Sequence, residues 1–201
     1  VRHHHLPDAV RALRAARAAQ AAGHAAQPLP EPGQRLRAAL LLRDNVRNRA
    51  RIEKAYLRAI GFARKEIIIA NAYFLPGRKL RRALVLAAQR GVRVRLLLQG
   101  RYEYFMQYHA ARPVYGALLA AGVEIHEYAP SFLHAKVAVI DALAPRPWAT
   151  VGSSNLDPLS LLLAREANVV IEDAPFAQAL RQCLVQAMDS AGQMLDPARY
   201  A

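Results

Sequence analysis

The sequence predicts an α/β fold in which a mixed β-sheet is sandwiched between helices. Apolar runs with strand character alternate with longer segments that have helical spacing, which is typical of a sheet covered by helices on both faces. One run, "EIIIANAYF" at 66–74, is apolar almost throughout, as expected of a strand buried on both sides. A chain of 201 residues is long enough for one domain with a substantial core.

The individual elements follow from composition and periodicity. β-branched and apolar residues cluster in seven segments, which predicts strands at 37–44, 66–74, 92–99, 122–129, 136–141, 149–151 and 166–173. Apolar residues recur every three to four positions in four segments, which predicts helices at 48–65, 77–90, 112–121 and 174–191. Gly91 stands directly after the second helix, where glycine commonly ends a helix.

The N-terminal segment differs from the rest in composition. Residues 8–22 are alanine-rich with arginines at helical spacing, and residues 23–34 are rich in proline and glycine. We therefore expect a helix and a linker over 1–34, followed by a domain over 35–201.

The charge of the chain is strongly positive and unevenly distributed. Residues 1–100 contain 21 Lys and Arg against 5 Asp and Glu, within a total net charge of +13. Such a surface attracts polyanions, either nucleic acid or an anionic lipid surface, although solvated helix faces explain the same charge equally well. No uninterrupted run of about 18 apolar residues occurs, so no bilayer-spanning helix is predicted. The single cysteine, Cys183, excludes an internal disulfide.

The stretch "FLHAKVAVID" at 132–141 indicates an anion-binding site. His134 and Lys136 are two residues apart in a strand, so both side chains are expected on one face of the sheet. Two ionisable groups side by side on a buried face are costly unless a partner compensates them, and an anion over that face would do so.

A second stretch, "VGSSNLDPLS" at 151–160, supplies further anion-binding groups. Small residues at the end of a strand let backbone N–H groups approach an anion, while Ser153 and Asn155 add a hydroxyl and an amide. If this strand lies beside that of His134, the combined set suits a phosphate diester. No metal-ligand spacing is present, and neither a metal nor another cofactor is expected. Asn71, which ends a predicted strand, is a further candidate for the same anion-binding site. Packing in the core explains this residue equally well.

These residues together carry a family resemblance. His134-x-Lys136-x4-Asp141, followed by Gly152-Ser153-x-Asn155 and Glu166, resembles the signature of the phospholipase D superfamily. Longer segments such as "NAYFLPGRKLRRAL" and "WATVGSSNLDPLSLL" are similar to the C-terminal half of bacterial cardiolipin synthases. The resemblance covers roughly residues 40–173 and implies a phospholipase D-like half-domain over 35–201. The loop between Asp141 and Gly152 is longer than in the family, and we expect residues 144–147 to be looped out.

The resemblance implies a phosphatidyl transfer through a covalent phosphohistidine. His134 would be one of two catalytic histidines, of which one attacks phosphorus and the other protonates the leaving alcohol. Lys136, Ser153 and Asn155 would hold the phosphoryl oxygens, and Glu166 would accept the N–H of His134. Asp141 is part of the motif and counts among its catalytic positions. Strand alternation nevertheless places it on the opposite face, which favours a structural salt bridge or turn acid.

The chain contains one such motif, whereas the family builds its site from two. His24 and His109 lack the motif context, so we expect the second motif from a missing half or from a homodimer partner. The implied partners are anionic phospholipids such as phosphatidylglycerol, met peripherally on the cytoplasmic side of the bacterial cell membrane. Two alternatives remain open: a homodimeric phosphodiesterase or nuclease acting on nucleic acid, and an inactive half-domain fragment.

Overall fold

An eight-stranded sheet organises the part of the chain that the structure describes. The computed structural model describes residues 36–44, 48, 50–101, 105–157 and 165–200, without the side chains of residues 105–112. The strands are β1 Arg37–Arg43, β2 Glu66–Asn71, β3 Arg93–Gln99, β4 Glu124–Tyr128, β5 Lys136–Ile140, β6 Trp148–Gly152, β7 Glu166–Glu172 and β8 Gly192–Met194. Their order across the sheet is β1-β7-β6-β5-β2-β3-β4-β8. Strand β2 pairs in parallel with β3, and β3 with β4, while all other pairs are antiparallel.

Four helices connect these strands in the described part of the chain. They are α1 Arg51–Phe62, α2 Arg78–Gln89, α3 Phe105–Ala120 and α4 Ala174–Ala191, and a short 3-10 helix follows at Pro197–Arg199. The side chain of Asp173 caps α4 by accepting the Phe176 N–H at 2.9 Å. Gly91 follows α2 with φ of 85°, a conformation that glycine adopts without a steric penalty. None of the described helices combines the length and the apolar composition that a membrane crossing requires.

The sheet has a separate hydrophobic core on each face. In β2, Ile67 and Ile69 pack into a cluster with α1, α2 and α3, whereas Ile68 and Ala70 pack into a second cluster with α4. This alternation is the expected consequence of the two-residue period of a strand. The predicted class, a mixed sheet between helices, is confirmed.

The observed elements differ from the predicted ones mainly at their ends. Helix α3 begins at Phe105, seven residues before its predicted start, and α4 spans 174–191 as predicted. Strand β8 is not predicted, because three residues are too few to show periodicity and it forms by pairing with β4. The helix and linker expected over 1–34 lie outside the described residues, and Leu36–Ala201 forms one unit.

Candidate active site

His134 and Lys136 lie at the start of β5 and share one face. Leu133, Ala135 and Val137 pack on the α4 side of the sheet, so the two residues between them point to the opposite side. His134 is exposed to solvent, whereas Lys136 is only 7% exposed. The pair therefore combines an accessible imidazole with a nearly buried ammonium group.

The neighbours of Lys136 across the sheet are two asparagines and a glycine. On one side, Asn71 of β2 is paired with Lys136. On the other side, the β5–β6 register places Gly152 next to Lys136, and Gly152 is in turn paired with Asn168 of β7. Directly opposed residues in antiparallel strands project to the same face, so these side chains form a row at one level of the sheet.

Gly152 is required by the close approach of Asn168. A Cβ atom at position 152 would lie 2.3 Å from Cγ of Asn168 and 2.5 Å from the carbonyl oxygen of Ala167. The amide of Asn168 thus lies over the glycine, on the side of β7 that faces Lys136. Its Nδ2 donates to Oγ1 of Thr150 at 3.3 Å, while its buried Oδ1 has no hydrogen-bond partner among the described residues.

The segment 153–156 crosses the beginning of β5. The Ser153 N–H donates to the carbonyl oxygen of Ala167 in β7 at 3.0 Å, and the Leu156 N–H donates to Oδ1 of Asn71 in β2 at 3.2 Å. Since β5 lies between β6 and β2 in the sheet, the intervening Asn155 passes over the strand that begins with Lys136. Oδ1 of Asn155 and Nδ2 of Asn71 are buried without a hydrogen-bond partner in the described part of the chain.

Lys136 and Glu166 are charged residues of the site, and Ser153 is hydrogen-bonded to Glu166. The Ser153 hydroxyl donates to Oε2 of Glu166 and accepts the Ala167 N–H at 3.1 Å. Nζ of Lys136 donates to the carbonyl oxygen of His134 at 3.3 Å. Burial lowers the pKa of Lys136 below the ordinary value of 10.5, and the nearby charge of Glu166 opposes this shift in part. The hydrogen-bond donor to Glu166 is Ser153 and not His134, so the predicted Glu166–His134 contact stays a prediction.

Asp141 lies apart from these residues, at the other end of β5. Five strand positions separate it from Lys136, or roughly 16 Å along an extended chain. Its carboxylate accepts the backbone N–H groups of Arg64, Lys65 and Glu66 at 2.8, 2.8 and 2.9 Å. Asp141 has φ of 50°, which places it at a turn and not in the strand. Asp141 is therefore a turn residue that accepts backbone hydrogen bonds, and it does not lie beside Lys136 and Glu166.

Asn168 is a site residue that the sequence alone does not single out. It stands in "EANVVIED", where a lone asparagine in an apolar strand is as typical of an edge position as of a functional site. The available signal is Gly152, because a glycine inside a strand often marks the close approach of another group. Which group approaches depends on the pairing of β6 with β7, a contact between distant parts of the sequence.

The arrangement is suited to holding an oxyanion. A nearly buried lysine, the amide groups of Asn71, Asn155 and Asn168, and a serine hydroxyl surround the start of β5, and an exposed histidine stands beside them. In the described ranges, no group of three or more His, Cys, Asp or Glu side chains is placed to hold a metal ion. The fold and this set of residues define a phospholipase D-like unit.

Comparison with known proteins identifies the family. The family described as "Cardiolipin synthase, PLD-like domain" matches residues 56–188, and the chain belongs to it. Cardiolipin synthase B of Escherichia coli K12 is 47% identical over 161 residues, which are 80% of this chain and 38% of that protein. Cardiolipin synthase 2 of Bacillus anthracis is 37% identical over 131 residues, 65% of this chain and 25% of that protein. The chain thus spans well under half of the length of these relatives.

Solved structures show the same fold at low sequence identity. Nuc from Salmonella typhimurium, a phospholipase D family member, matches with a TM-score of 0.65 and 19% identity, over 80% of this chain and 99% of that one. Phosphatidylserine synthase from Haemophilus influenzae matches with a TM-score of 0.63 and 14% identity, over 87% of this chain and 43% of that one.

Proposed function

We propose that this unit catalyses phosphatidyl transfer of the cardiolipin synthase type, joining phosphatidylglycerol-like lipids with release of glycerol. The observation that carries the proposal is the nearly buried Lys136, flanked by Asn71 and crossed by the segment that contains Asn155. An ammonium group that is largely withdrawn from water interacts strongly with a phosphoryl group placed over it. Membership in the cardiolipin synthase family supports lipid phosphodiesters as the substrate class.

In the proposed reaction, His134 is one of the two histidines of a double displacement. A neutral imidazole nitrogen forms a bond to phosphorus while the bond from phosphorus to the leaving alcohol oxygen breaks. The second, protonated histidine gives its proton to that oxygen, and then removes the proton of the incoming alcohol that releases the phosphohistidine. The exposure of His134 supports this role, because the ring must meet a substrate from outside the protein.

Lys136, Ser153 and Asn155 hold the phosphoryl oxygens in this proposal. Glu166 positions the site by accepting the hydroxyl of Ser153, and by accepting an N–H of His134 when the ring turns toward it. Nδ2 of Asn71, buried without a partner among the described residues, adds a donor to the same surface. Preorganised donors of this kind stabilise the charge that develops in the transition state.

The second histidine comes from a second phospholipase D-like unit. Two sources are possible: a second copy of the chain, or a second unit within one longer protein. The solved chains support both, because one unit of this fold covers 99% of Nuc but 43% of the phosphatidylserine synthase. On the opposite face of the sheet, Leu40 and Leu42 of β1 and Val151 of β6 expose apolar side chains. Val151 is paired with Val137, which packs on the α4 side, so this apolar surface lies behind the site and is available for a contact with the second unit.

The working location follows from the substrate. We infer a peripheral position on the cytoplasmic side of the bacterial cell membrane, where the net charge of +13 attracts anionic headgroups. The same charge favours the second candidate, a homodimeric phosphodiesterase or nuclease acting on nucleic acid. The third candidate is a half-domain that performs no chemistry alone.

Product analysis separates these candidates. Labelled phosphatidylglycerol and labelled single-stranded DNA are offered to the purified chain, whose mass in solution is measured in parallel. We expect cardiolipin from the dimer, or from the chain assembled with a second motif-bearing unit. His134→Ala should lower turnover at least about 10³-fold with an unchanged melting temperature. The control Lys65→Ala, at an exposed position near the other end of β2, should leave turnover unchanged. Cleavage of DNA without lipid turnover would replace this proposal with the nuclease.

A further inference from the structure

A groove beside the candidate active site runs between α1 and the β1–β7 edge of the sheet. It has a volume of about 960 Å³, within the range of small-molecule sites. Its floor is formed by Leu41, Trp148 and Val170, and Ala55 and Ala59 of α1 form its wall. Trp148 is four residues before Gly152 in β6, so this part of the floor lies roughly 13 Å from Gly152 along the strand. Leu41, which is paired with Asn168, forms the end of the groove nearest to the candidate active site.

The rim of this groove is cationic. Lys54 and Arg58 stand on the exposed side of α1, and Arg64 and Arg146 stand on the loops at its far end. None of these four side chains forms an ion pair with a carboxylate in the part of the chain that the structure describes. Arg58 lies over the ring of Phe62, 6.0 Å from its centroid, at the mouth of the groove.

Two carboxylates also line the groove, fewer than its four cations. Asp141 accepts three backbone N–H groups, and Oε2 of Glu172 lies 3.9 Å from NH1 of Arg37. The four cations therefore give the rim a net positive charge that faces an apolar floor. A ligand that satisfies both parts carries an anionic group next to a hydrocarbon segment.

We propose that this groove binds one anionic phospholipid molecule, with its phosphate at Lys54 and Arg58 and part of an acyl chain on the floor. The site holds lipid outside the reaction centre, so it is a binding site additional to the proposed transfer site. A neutral lipid lacks the charge for the rim, and a free phosphate leaves the apolar floor exposed to water. Both are expected to bind weakly.

The tryptophan in the floor provides a direct measurement. Trp148 is the single tryptophan of the chain, and its ring packs edge-on against Tyr56 with centroids 5.4 Å apart. Its fluorescence is followed while dihexanoyl phosphatidylglycerol is added below its micelle concentration. Dihexanoyl phosphatidylcholine and glycerol phosphate serve as the neutral-lipid and phosphate-only arms. We expect a saturable change in emission with the anionic lipid, and none with the other two at the same concentrations.

Charge variants locate the binding. The double variant Lys54→Gln with Arg58→Gln should weaken binding of the anionic lipid about tenfold or more. The matched control, Lys79→Gln with Arg82→Gln, removes the same charge from exposed positions of α2 that do not line the groove, and should bind as the parent does.

The His134→Ala variant separates this site from the catalytic one. Its Trp148 response should equal that of the parent chain, whether or not the chain has transferase activity, because the signal requires no turnover. Loss of the response in that variant would assign the lipid to the catalytic site and overturn the proposal. An equal response to the neutral lipid or to glycerol phosphate, or an equal loss of affinity in both double variants, would overturn it too.

Discussion

Buried charged side chains form ion pairs at one end of strands β2 and β5, whereas at the other end a buried lysine has no ion-pair partner among the described residues. Where β2 begins, Glu66 accepts the guanidinium groups of Arg95 and Arg181 at 2.6 and 2.5 Å, and Asp141 accepts three backbone N–H groups. Where β5 begins, Lys136 is almost as deeply buried as Arg95, yet no described carboxylate forms an ion pair with it. We call these the paired end and the open end.

Among the described residues, the open end holds more buried polar atoms without a hydrogen-bond partner than the paired end, where Nε of Arg95 is such an atom. Buried amide atoms of Asn71, Asn155 and Asn168 have no hydrogen-bond partner in the described ranges, and each such atom costs about 1–3 kcal/mol. Buried polar groups without partners are uncommon in folded proteins and require an explanation. An anion would accept a hydrogen bond from Nδ2 of Asn71, whereas Oδ1 of Asn155 and Oδ1 of Asn168 require a donor. The difference indicates that the paired end stabilises the sheet, while the open end leaves Lys136 and Nδ2 of Asn71 for the anion of the proposed function.

The largest expected effect is at the open end. Lys136→Met tests whether the charge of Lys136 contributes to turnover and not to the free energy of unfolding. We expect turnover to fall on the order of 10³-fold. The free energy of unfolding should stay unchanged or rise, because a nearly buried ammonium is replaced by an apolar side chain of similar length. Turnover and urea unfolding are measured on the same preparation. A loss of stability of more than about 2 kcal/mol would assign Lys136 to the scaffold.

The next effect is at the paired end. Glu66→Gln should lower the free energy of unfolding by about 3 kcal/mol, because it leaves Arg95 buried without its carboxylate. Turnover per folded molecule should not change. The control Glu124→Gln breaks a pair whose Arg93 partner is 58% exposed, and should cost less than about 1 kcal/mol. Equal losses in urea unfolding would contradict the distinction between buried and exposed pairs.

The same substitution predicts a pH dependence of stability. Burial raises the pKa of Glu66, but the hydrogen bonds and charges of Arg181 and Arg95 lower it more, so the net shift is downward from 4.5. A lowered carboxyl pKa contributes stability that is complete above the unfolded value and is lost as pH falls through the folded value. The difference in stability between the parent and Glu66→Gln should therefore shrink below pH 4.5.

The smallest effect is expected from Asp141→Asn. This variant tests whether the aspartate of the motif contributes to stability or to turnover. Asparagine tolerates the φ of 50° but has one carbonyl oxygen for the three N–H donors, so we expect a loss of about 1–2 kcal/mol. Turnover of the folded fraction should remain within a factor of two of the parent, about 0.4 kcal/mol. Reduced turnover at full stability would restore Asp141 to the catalytic group and contradict its assignment to the paired end.

Features that depend on local periodicity are predictable from the order of the residues. Alternating polar and apolar positions put His134 and Lys136 on one face, because successive strand residues point to opposite sides. Helix α4 is predicted to the residue, since Asp173 and the apolar spacing that follows act within a few positions. The alternation of strands and helices predicts the class of fold for the same reason.

Which residues meet at each end depends on contacts between distant parts of the chain. The bond from Leu156 to Asn71 joins positions 85 apart in the chain, and that from Arg181 to Glu66 joins positions 115 apart. The approach of Asn168 over Gly152 likewise depends on the pairing of β6 with β7. Local spacing carries no information about these contacts, because they arise when strand order brings distant segments together. The motif thus appears in the sequence as one run, but Lys136 begins β5 whereas Asp141 lies in the turn that follows the strand.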